Sequence, residues 1–196
     1  VEHSGRAVCG LIGPWAQVVA ARAALGMQAR HAHLDSREDL FSLALADLRV
    51  PPRLADGTWT CRRPIADDVA ELGRWAVAYE IEAIGVPAEE AEEEADEFAT
   101  ADSQRLLVAD GQRVATSRFN AELPDCVQIG GVYTPPALRG RGYARAVVAG
   151  TLVEARARGV TRAILFTGDD NAPARAAYEA LGFRVVGDYG LVLFTP

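Results

Sequence analysis

Residues 132–144 say more about the fold than any other stretch of this chain. Their sequence is Val132-Tyr133-Thr134-Pro135-Pro136-Ala137-Leu138-Arg139-Gly140-Arg141-Gly142-Tyr143-Ala144. An apolar run ends at the two prolines, a glycine-rich turn follows, and apolar residues then recur at helical spacing, at Ala144, Val147, Val148, Leu152 and Ala155. Glycines let a backbone approach a ligand closely, and the free N–H groups at a helix start bind anions. The stretch therefore predicts a strand, a turn suited to a pyrophosphate, and a helix from Gly140 to Arg158.

Two other kinds of glycine-rich phosphate loop do not fit this stretch. A Walker loop needs Gly-Lys followed by Ser or Thr, and a dinucleotide-binding fold needs Gly-x-Gly-x-x-Gly. Neither pattern occurs at residues 132–144, so a nucleotide-binding domain is disfavoured. The plain structural alternative, a turn that only joins a strand to a helix, stays open on this stretch alone.

A second motif follows the strand predicted at residues 162–167. It consists of Asn171, Ala174, Ala177, Tyr178, Leu181, Gly182 and Phe183. Asn171 is a favourable N-cap for a helix that begins at or just before Pro173 and ends at Leu181. Tyr178 comes seven residues later, about two turns on, and so shares its side of that helix. Taken alone, Tyr178 fits an ordinary half-buried aromatic side chain as well.

Together the two motifs resemble those of the GNAT acetyltransferase superfamily. Arg139, Gly142 and Ala144 match its pyrophosphate loop, Arg/Gln-x-x-Gly-x-Gly/Ala, and residues 171–183 match its N-x-x-A-x-x-x-Y-x-x-x-G-F run. The likeness covers about residues 58–196 and is similar in detail to uncharacterised members that add a partial GNAT-like N-terminal half. It implies acetyl-CoA as co-substrate and an α/β fold, with a mixed, mostly antiparallel sheet flanked by helices plus a small N-terminal α/β unit.

The resemblance also implies roles for individual residues. Backbone amides of the loop would anchor the pyrophosphate, Asn171 would face the pantetheine arm, and Tyr178 would be the general acid that protonates the departing CoA thiolate. The strand before the loop would splay from its neighbour, with a bulge and a backbone donor for the thioester oxygen at residues 130–132. The residues expected to bind the co-substrate are Gly131, Val132, Tyr133, Thr134, Arg139, Gly140, Arg141, Gly142, Tyr143, Ala144, Asn171, Ala174 and Tyr178.

No general base stands out in the GNAT-like region. Glu80 and Glu82 are candidate catalytic residues because they lie in its first helix, the side that usually faces substrate in the family. The alternative for both is a solvated surface glutamate, the commoner situation. Asp125 is a weaker candidate. All three histidines precede residue 34, so a water-relayed proton path is a further option.

The chain divides near residue 57, where Pro51-Pro52 and Asp56-Gly57 interrupt the pattern. We expect a partial, degenerate GNAT-like unit at residues 1–57 and a complete GNAT domain at 58–196. Residues 6–27 align without a gap on residues 162–183, although a shared richness in alanine gives the same result by chance. In that alignment Trp15 stands at the position of Asn171 and Arg22 at that of Tyr178, which predicts a catalytically inactive half that serves as a packing partner or as a wall on the substrate side.

Other patterns predict further elements. These are a strand at residues 6–12, a helix ending at Gly26, a strand or a helix at 40–46, a strand at 60–64, a helix from Asp67 to Ile84, a solvated acidic helix at 89–98, a hairpin around Asp110-Gly111, and a final strand pair ending at Phe194.

Composition narrows the class of protein. The formal net charge of −7 and the absence of a basic tail argue against a nucleic-acid partner. No apolar run reaches the length of a membrane span, and no signal-peptide pattern follows the Val1-Glu2-His3 start. The three cysteines are odd in number and widely spaced, which indicates neither a disulfide framework nor a metal site. We therefore expect a cytoplasmic protein without a metal, and the resemblance is compatible with a homodimer.

The sequence thus predicts an N-acetyltransferase. It would transfer an acetyl group from acetyl-CoA to a primary amine of a small molecule or peptide, by direct attack in a ternary complex. Two alternatives from other classes stay open: a catalytically silent acyl-CoA-binding sensor or scaffold, and an interaction module led by the acidic helix.

Overall fold

A computed structural model of the protein describes residues 7–195, without the side chains at positions 93, 94, 96 and 97. The strands are β1 Gly10–Pro14, β2 Ala32–Ala44, β3 Trp59–Arg62, β4 Gln104–Ala109, β5 Gln112–Glu122, β6 Cys126–Tyr133, β7 Arg162–Thr167 and β8 Arg184–Phe194. The helices are α1 Trp15–Ala24, α2 Pro52–Ala55, α3 Val69–Tyr79, α4 Ala88–Thr100, α5 Tyr143–Ala157 and α6 Ala172–Leu181. Short 3-10 turns occupy Leu45–Asp47, Ala66–Asp68 and Pro136–Leu138, and a π-helical turn occupies Glu80–Ile84.

Two compact units make up the chain. The smaller comprises Val1–Phe41, Phe166–Arg175 and Val185–Pro196, and the larger comprises Ser42–Leu165 and Ala176–Arg184. These limits fall inside β2, β7, α6 and β8, so each unit is assembled from separate stretches of chain. A boundary at residue 57, and a faded repeat before it, stay predictions.

The larger unit is built on strands in the order β7-β6-β5-β4-β3. The three pairs from β3 to β6 are antiparallel and the β6–β7 pair is parallel, which confirms the expected mixed, mostly antiparallel sheet with flanking helices. The predicted hairpin joins β4 to β5. Asp110 (φ 51°) and Gly111 (φ 75°) both adopt the left-handed conformation that a two-residue hairpin turn requires.

Helix α5 anchors the core of this unit. Four residues of its apolar stripe are fully buried, namely Val147, Val148, Leu152 and Ala155, and Ala144 at the start of the stripe is half-buried. Gly150 lets the helix approach β3 closely, because a Cβ there would come within 2.2 Å of the Cys61 Cβ. A separate cluster on the other elements joins Leu72, Trp75, Ala99, Leu106 and Tyr133. The close fit of α5 fixes the position of its N-terminus, where the phosphate-binding turn was predicted.

A buried carboxylate fixes the start of α3. The Asp68 side chain has no exposed area and accepts hydrogen bonds from Arg62 Nη1 (2.6 Å), Arg113 Nε (2.5 Å) and the backbone N–H of Ile65 (2.7 Å). The Arg62 hydrogen bond, followed by that of Arg113, holds the pKa of Asp68 well below its usual range. This network ties α3 to β3 and β5.

In the smaller unit β1 pairs antiparallel with β8, from Gly10↔Leu193 to Pro14↔Tyr189. Val18 of α1 packs with Val192 and Phe194. The strand predicted at residues 6–12 corresponds to β1, which begins at Gly10. Position 6 of that prediction lies outside the described residues. The run at residues 40–46, left open between strand and helix, is the end of strand β2 followed by a 3-10 turn.

Three predicted boundaries were wrong. The final strand pair is a single strand, β8, because its internal glycines are not among the residues with positive φ and the backbone stays extended. Helix α5 begins at Tyr143 rather than at residue 140, because Gly140 and Gly142 adopt left-handed φ values. The helix predicted from Asp67 to Ile84 is α-helical only to Tyr79. It continues as a π-helical turn, which Gly85 (φ 79°) ends.

Candidate functional site

Strand β6 carries the predicted bulge. Between the pairs Thr116↔Tyr133 and Arg118↔Gly130, β5 advances by two residues and β6 by three, so β6 holds one extra residue. Gly131 has φ 54°, and a Cβ there would lie 3.0 Å from the Arg118 Cγ. A Cβ on Gly130 would lie 2.1 Å from the Asn120 Nδ2. The left-handed φ of Gly131 favours glycine at that position, and the extra residue in β6 confirms the bulge predicted at residues 130–132.

Strands β6 and β7 separate beyond the start of their ladder. They pair at Cys126↔Arg162, Val127↔Ala163 and Gln128↔Ile164, and the ladder ends there. Within residues 7–195, the β6 residues Ile129–Tyr133 have no β7 partner. The predicted splay is present, and it leaves strand edge on β6 that an extended ligand could pair with.

The turn after β6 opens the N-terminus of α5. Gly140 (φ 76°) and Gly142 (φ 82°) turn the backbone through conformations that favour glycine. Gly142 is the N-cap, and no side-chain hydrogen bond caps this helix start in the part of the chain that the structure describes. The first turn holds no acidic residue. Its N–H groups and the helix dipole are thus directed at whatever anion binds there.

Thr134, at the end of β6, adds an unsatisfied polar group. Its residue is 8% exposed, and among residues 7–195 its Oγ1 finds no hydrogen-bond partner. Buried hydroxyls are normally paired, so this atom fits a position completed by a bound molecule. The uncapped helix, the left-handed glycines and this hydroxyl together fit a pyrophosphate and the chain attached to it.

Arg139 links the loop to the π-helical turn. Its Nε donates to the Thr134 carbonyl oxygen (2.9 Å) and its Nη2 lies 2.7 Å from Glu82 Oε2. The hydrogen bond from Arg139 lowers the pKa of Glu82. The Arg139 guanidinium also lies 5.8 Å from the centre of the Tyr133 ring, and burial raises the pKa of that phenol. A carboxylate with a lowered pKa is a weaker base, and this carboxylate already contacts the Arg139 guanidinium.

Tyr178 lies in the part of α6 that belongs to the larger unit and is 7% exposed. Its ring meets Phe183 edge-on, with 6.1 Å between centroids. Burial, and then the neighbouring Tyr79 phenol, raise the pKa of Tyr178 far above its usual value. The phenol therefore keeps its proton across the physiological range, as a proton donor must.

The structure brings together only part of the predicted set. Glu82, Tyr133, Thr134 and Arg139 form one group, and Glu80 is half-exposed in the same π-helical turn. Asn171 and Ala174 belong to the smaller unit, where the Asn171 Oδ1 accepts the Ala174 N–H (3.3 Å) and caps α6 as predicted.

Two features of the site were not predicted from the sequence. Trp75 and Tyr79 line a cleft beside Gly131, although on the sequence they are indistinguishable from ordinary core positions of an amphipathic helix. The ion pair between residues 82 and 139 joins positions 57 apart, and no local pattern marks it.

No group of three or more His, Cys, Asp or Glu side chains able to hold a metal occurs within residues 7–195. No helix in that same range is both long and apolar enough to cross a bilayer.

Comparison with known families assigns the larger part of the chain. The model of the "Acetyltransferase (GNAT) family" matches residues 66–183, which include α3, the bulge, the loop and Tyr178. The mixed, mostly antiparallel sheet with flanking helices is the GNAT fold.

Individual relatives are more distant. The mycothiol acetyltransferase of Corynebacterium glutamicum is 38% identical over 85 residues, which are 43% of this chain and 29% of that enzyme. A GNAT-family protein from Novosphingobium aromaticivorans superposes with a TM-score of 0.62 at 23% identity, covering 86% of this chain and 69% of the other. A tandem GNAT protein from the clavulanic acid biosynthesis pathway superposes with a TM-score of 0.58 at 16% identity, covering 95% of this chain and 62% of the other. The chain thus spans less than a third of the length of the mycothiol enzyme.

Proposed function

The chain belongs to the GNAT acetyltransferase family, and from this premise we propose that it transfers an acetyl group from acetyl-CoA to a primary amine. The acceptor is a small molecule or a peptide, and the amine attacks the thioester directly in a ternary complex. The uncapped N-terminus of α5, reached through two left-handed glycines, is the observation that carries the proposal.

The first requirement is that the donor is anchored. Backbone N–H groups of residues 140–144 would bind its pyrophosphate, helped by the α5 dipole. The β6 edge at Ile129–Tyr133 would pair with the pantetheine amides, and the Thr134 hydroxyl would gain a partner. A backbone N–H at the Gly131 bulge would then polarise the thioester carbonyl. Asn171 and Ala174 are proposed to complete the contacts to the donor.

The second requirement is control of protons. Tyr178 keeps its phenolic proton and would donate a hydrogen bond to the leaving sulfur as it becomes a thiolate. The attacking amine must be neutral, and its proton would leave through water or through Glu80. Glu82 would act by positioning Arg139 and the loop.

A catalytically silent acyl-CoA sensor is the second candidate. One observation favours it: the Glu82 carboxylate is ion-paired with Arg139 and has a lowered pKa. The sensor would bind acetyl-CoA at the same loop but release no CoA in the presence of any amine.

Calorimetric titration with acetyl-CoA tests the proposed function. Arg139→Glu and Gly142→Glu would each abolish saturable binding, because both place a negative charge where the pyrophosphate lies. Arg74→Glu, the same charge change at an exposed position of α3, serves as the control and should bind normally. CoA release with an amine panel then separates enzyme from sensor. No binding by the folded natural protein would refute both.

The organisation of the remaining chain is also a proposal. We propose that residues 1–57 form a degenerate GNAT-like unit that packs without a catalytic role, and that the protein acts in the cytoplasm, as a monomer or a homodimer. The fold-level likeness to a tandem GNAT protein supports the first point. Measuring the mass of the purified protein in solution tests the last.

A further inference from the structure

A cavity of about 230 Å³ lies in the larger unit, between the first turn of α3 and the end of α4. Its volume is somewhat below the roughly 300 to 1,000 Å³ of pockets that bind drug-sized molecules, so it suits a smaller ligand. The π-helical turn and Glu82 lie beyond the other end of α3, an 11-residue helix that is about 16 Å long. The cavity is therefore separate from the site proposed for acetyl transfer.

Two buried ion-pair networks hold the two sides of this cavity in place. Arg62, which pairs with the buried Asp68, also donates through Nη1 to the carbonyl oxygen of Arg63 (3.0 Å). On the opposite side Arg105, which is 1% exposed, donates through Nη1 to the carbonyl oxygen of Asp102 (2.7 Å). The backbone on both sides is thus fixed before any ligand arrives, which lowers the entropic cost of binding.

The interior of the cavity is apolar. Ala99 is fully buried at its floor, and the half-buried Val69 packs against the same core cluster. Pro64 and Ile65 form a wall. Ile65 leaves 57% of its surface exposed, although it is a large aliphatic side chain. A ligand with an aliphatic group would remove this apolar surface from water, which favours binding.

A cation and an anion stand together among the lining residues. Arg63 Nη1 lies 3.6 Å from Asp102 Oδ1, and Arg63 Nη2 lies 3.8 Å from Glu154 Oε1. Both distances exceed hydrogen-bond length, so neither contact uses a guanidinium hydrogen bond. Glu154 is engaged more closely by Arg105. The side chains of Arg63 and Asp102 are 57% and 100% exposed, so a ligand can reach both.

This pair of opposite charges selects the charge pattern of a ligand. A simple anion would gain from Arg63 but would be repelled by Asp102, and a simple cation would meet the reverse situation. A zwitterion that lies antiparallel to the pair gains from both charges. The α-amino acids carry such a pattern on adjacent groups, with a side chain that can turn toward the apolar interior.

From this geometry we propose that the cavity binds a free α-amino acid with a branched aliphatic side chain. The carboxylate accepts hydrogen bonds from the Arg63 guanidinium, the ammonium donates to the Asp102 carboxylate, and the side chain packs on Ile65 and Val69. This binding site does not depend on acetyl transfer.

Calorimetric titration with L-leucine, without acetyl-CoA, tests the proposal at concentrations up to about 10 mM, which covers millimolar affinity. Three analogues each lack one recognised group: isocaproate lacks the ammonium, isoamylamine lacks the carboxylate, and glycine lacks the side chain. Arg63→Gln and Asp102→Asn remove the two charges. Arg74→Gln on α3 and Glu89→Gln on α4 make the same charge changes at exposed positions and serve as controls.

We expect saturable binding of L-leucine and at least about 10-fold weaker binding of each analogue, since each loses a charged hydrogen bond or the apolar contact. Arg63→Gln and Asp102→Asn should each raise the Kd of L-leucine about 5- to 10-fold, because their exposed charges are partly screened by water. Both should leave the affinity for acetyl-CoA unchanged, and the two control variants should bind L-leucine normally.

Absence of L-leucine binding by the folded natural protein would overturn the proposal. Isoamylamine or isocaproate binding as tightly as L-leucine would also overturn it, because recognition would not need both charges. An L-leucine Kd unchanged in both Arg63→Gln and Asp102→Asn would show that the amino acid binds elsewhere, the acceptor position included. Each of these failures leaves the titration with acetyl-CoA, and with it the proposed acetyl transfer, unaffected.

Discussion

Glu82→Gln separates two roles for the carboxylate that contacts Arg139. If Glu82 positions the loop, the change weakens donor binding slightly and leaves the chemical step intact. If Glu82 is the general base, the change removes proton abstraction. The structure favours the first role, because the Arg139 hydrogen bond lowers the pKa of Glu82 and makes it a poorer base.

The expected magnitude follows from exposure. The side chains of Arg139 and Glu82 are 44% and 51% exposed, so the pair is partly screened by water. Exposed pairs contribute about 0.2 to 1 kcal/mol, which corresponds to a rise of about 1.4- to 5-fold in the acetyl-CoA KM. Loss of a general base would instead lower kcat by about 100- to 10,000-fold. The two outcomes do not overlap.

Steady-state CoA release measures both parameters, with Glu89→Gln on exposed α4 as the control. The KM effect should shrink at about 0.5 M salt, because exposed ion pairs are screened. Arg139→Gln and the double variant complete a thermodynamic cycle, in which the second change should add little to the first. A kcat loss above about 100-fold with an unchanged KM would refute the positioning role.

Three further predictions follow from buried or strained positions. Tyr178→Phe should lower kcat by about 100- to 10,000-fold and leave the affinity for acetyl-CoA unchanged. Because the pKa of Tyr178 is raised, kcat of the natural protein should show no loss from ionisation of this phenol between pH 7 and about 10. Unchanged turnover in Tyr178→Phe would exclude the phenol from the mechanism. Gly131→Ala should lower the free energy of unfolding, measured in urea, by about 1 to 2 kcal/mol, because Gly131 has a left-handed φ. Gly73→Ala should raise it, because Gly73 lies within α3 with open space around it. Equal effects of the two substitutions would contradict the bulge argument. Asp68→Asn should lower the free energy of unfolding by about 2 to 3 kcal/mol. This is less than the loss expected on breaking a fully buried ion pair, because the arginine partners of Asp68 are about one-third exposed. The pKa of Asp68 is depressed on folding, so its contribution is complete above the unfolded value of about 3.9 and is lost as pH falls through the folded pKa. Urea midpoints of both proteins should therefore differ by a constant amount from pH 5 to 8 and converge below about pH 4, and a difference that widens there would contradict the network.

Much of the fold was predictable because its signals are local. Asp110-Gly111 fixes a hairpin through the left-handed conformations of two adjacent residues, and the Gly140-Arg141-Gly142 turn before an apolar helical stripe predicts an open helix start. The bulge at Gly131 was predictable for the same reason. Strand β8 was misread because glycine is also compatible with extended backbone, so its presence does not require a turn.

By itself the sequence determined the β4–β5 hairpin, the glycine turn and the helix that follows it, the N-cap at Asn171 and the family motifs, because each depends on residues within about a dozen positions. Only the tertiary structure decided that Glu82 is paired with Arg139, that Asp68 is a buried hub, and that Trp75 and Tyr79 face a cleft rather than only a core. Those facts depend on which distant segments the sheet brings into contact. Burial and partner charges set the pKa of a carboxyl group or a phenol, and neither is encoded in its neighbours along the chain.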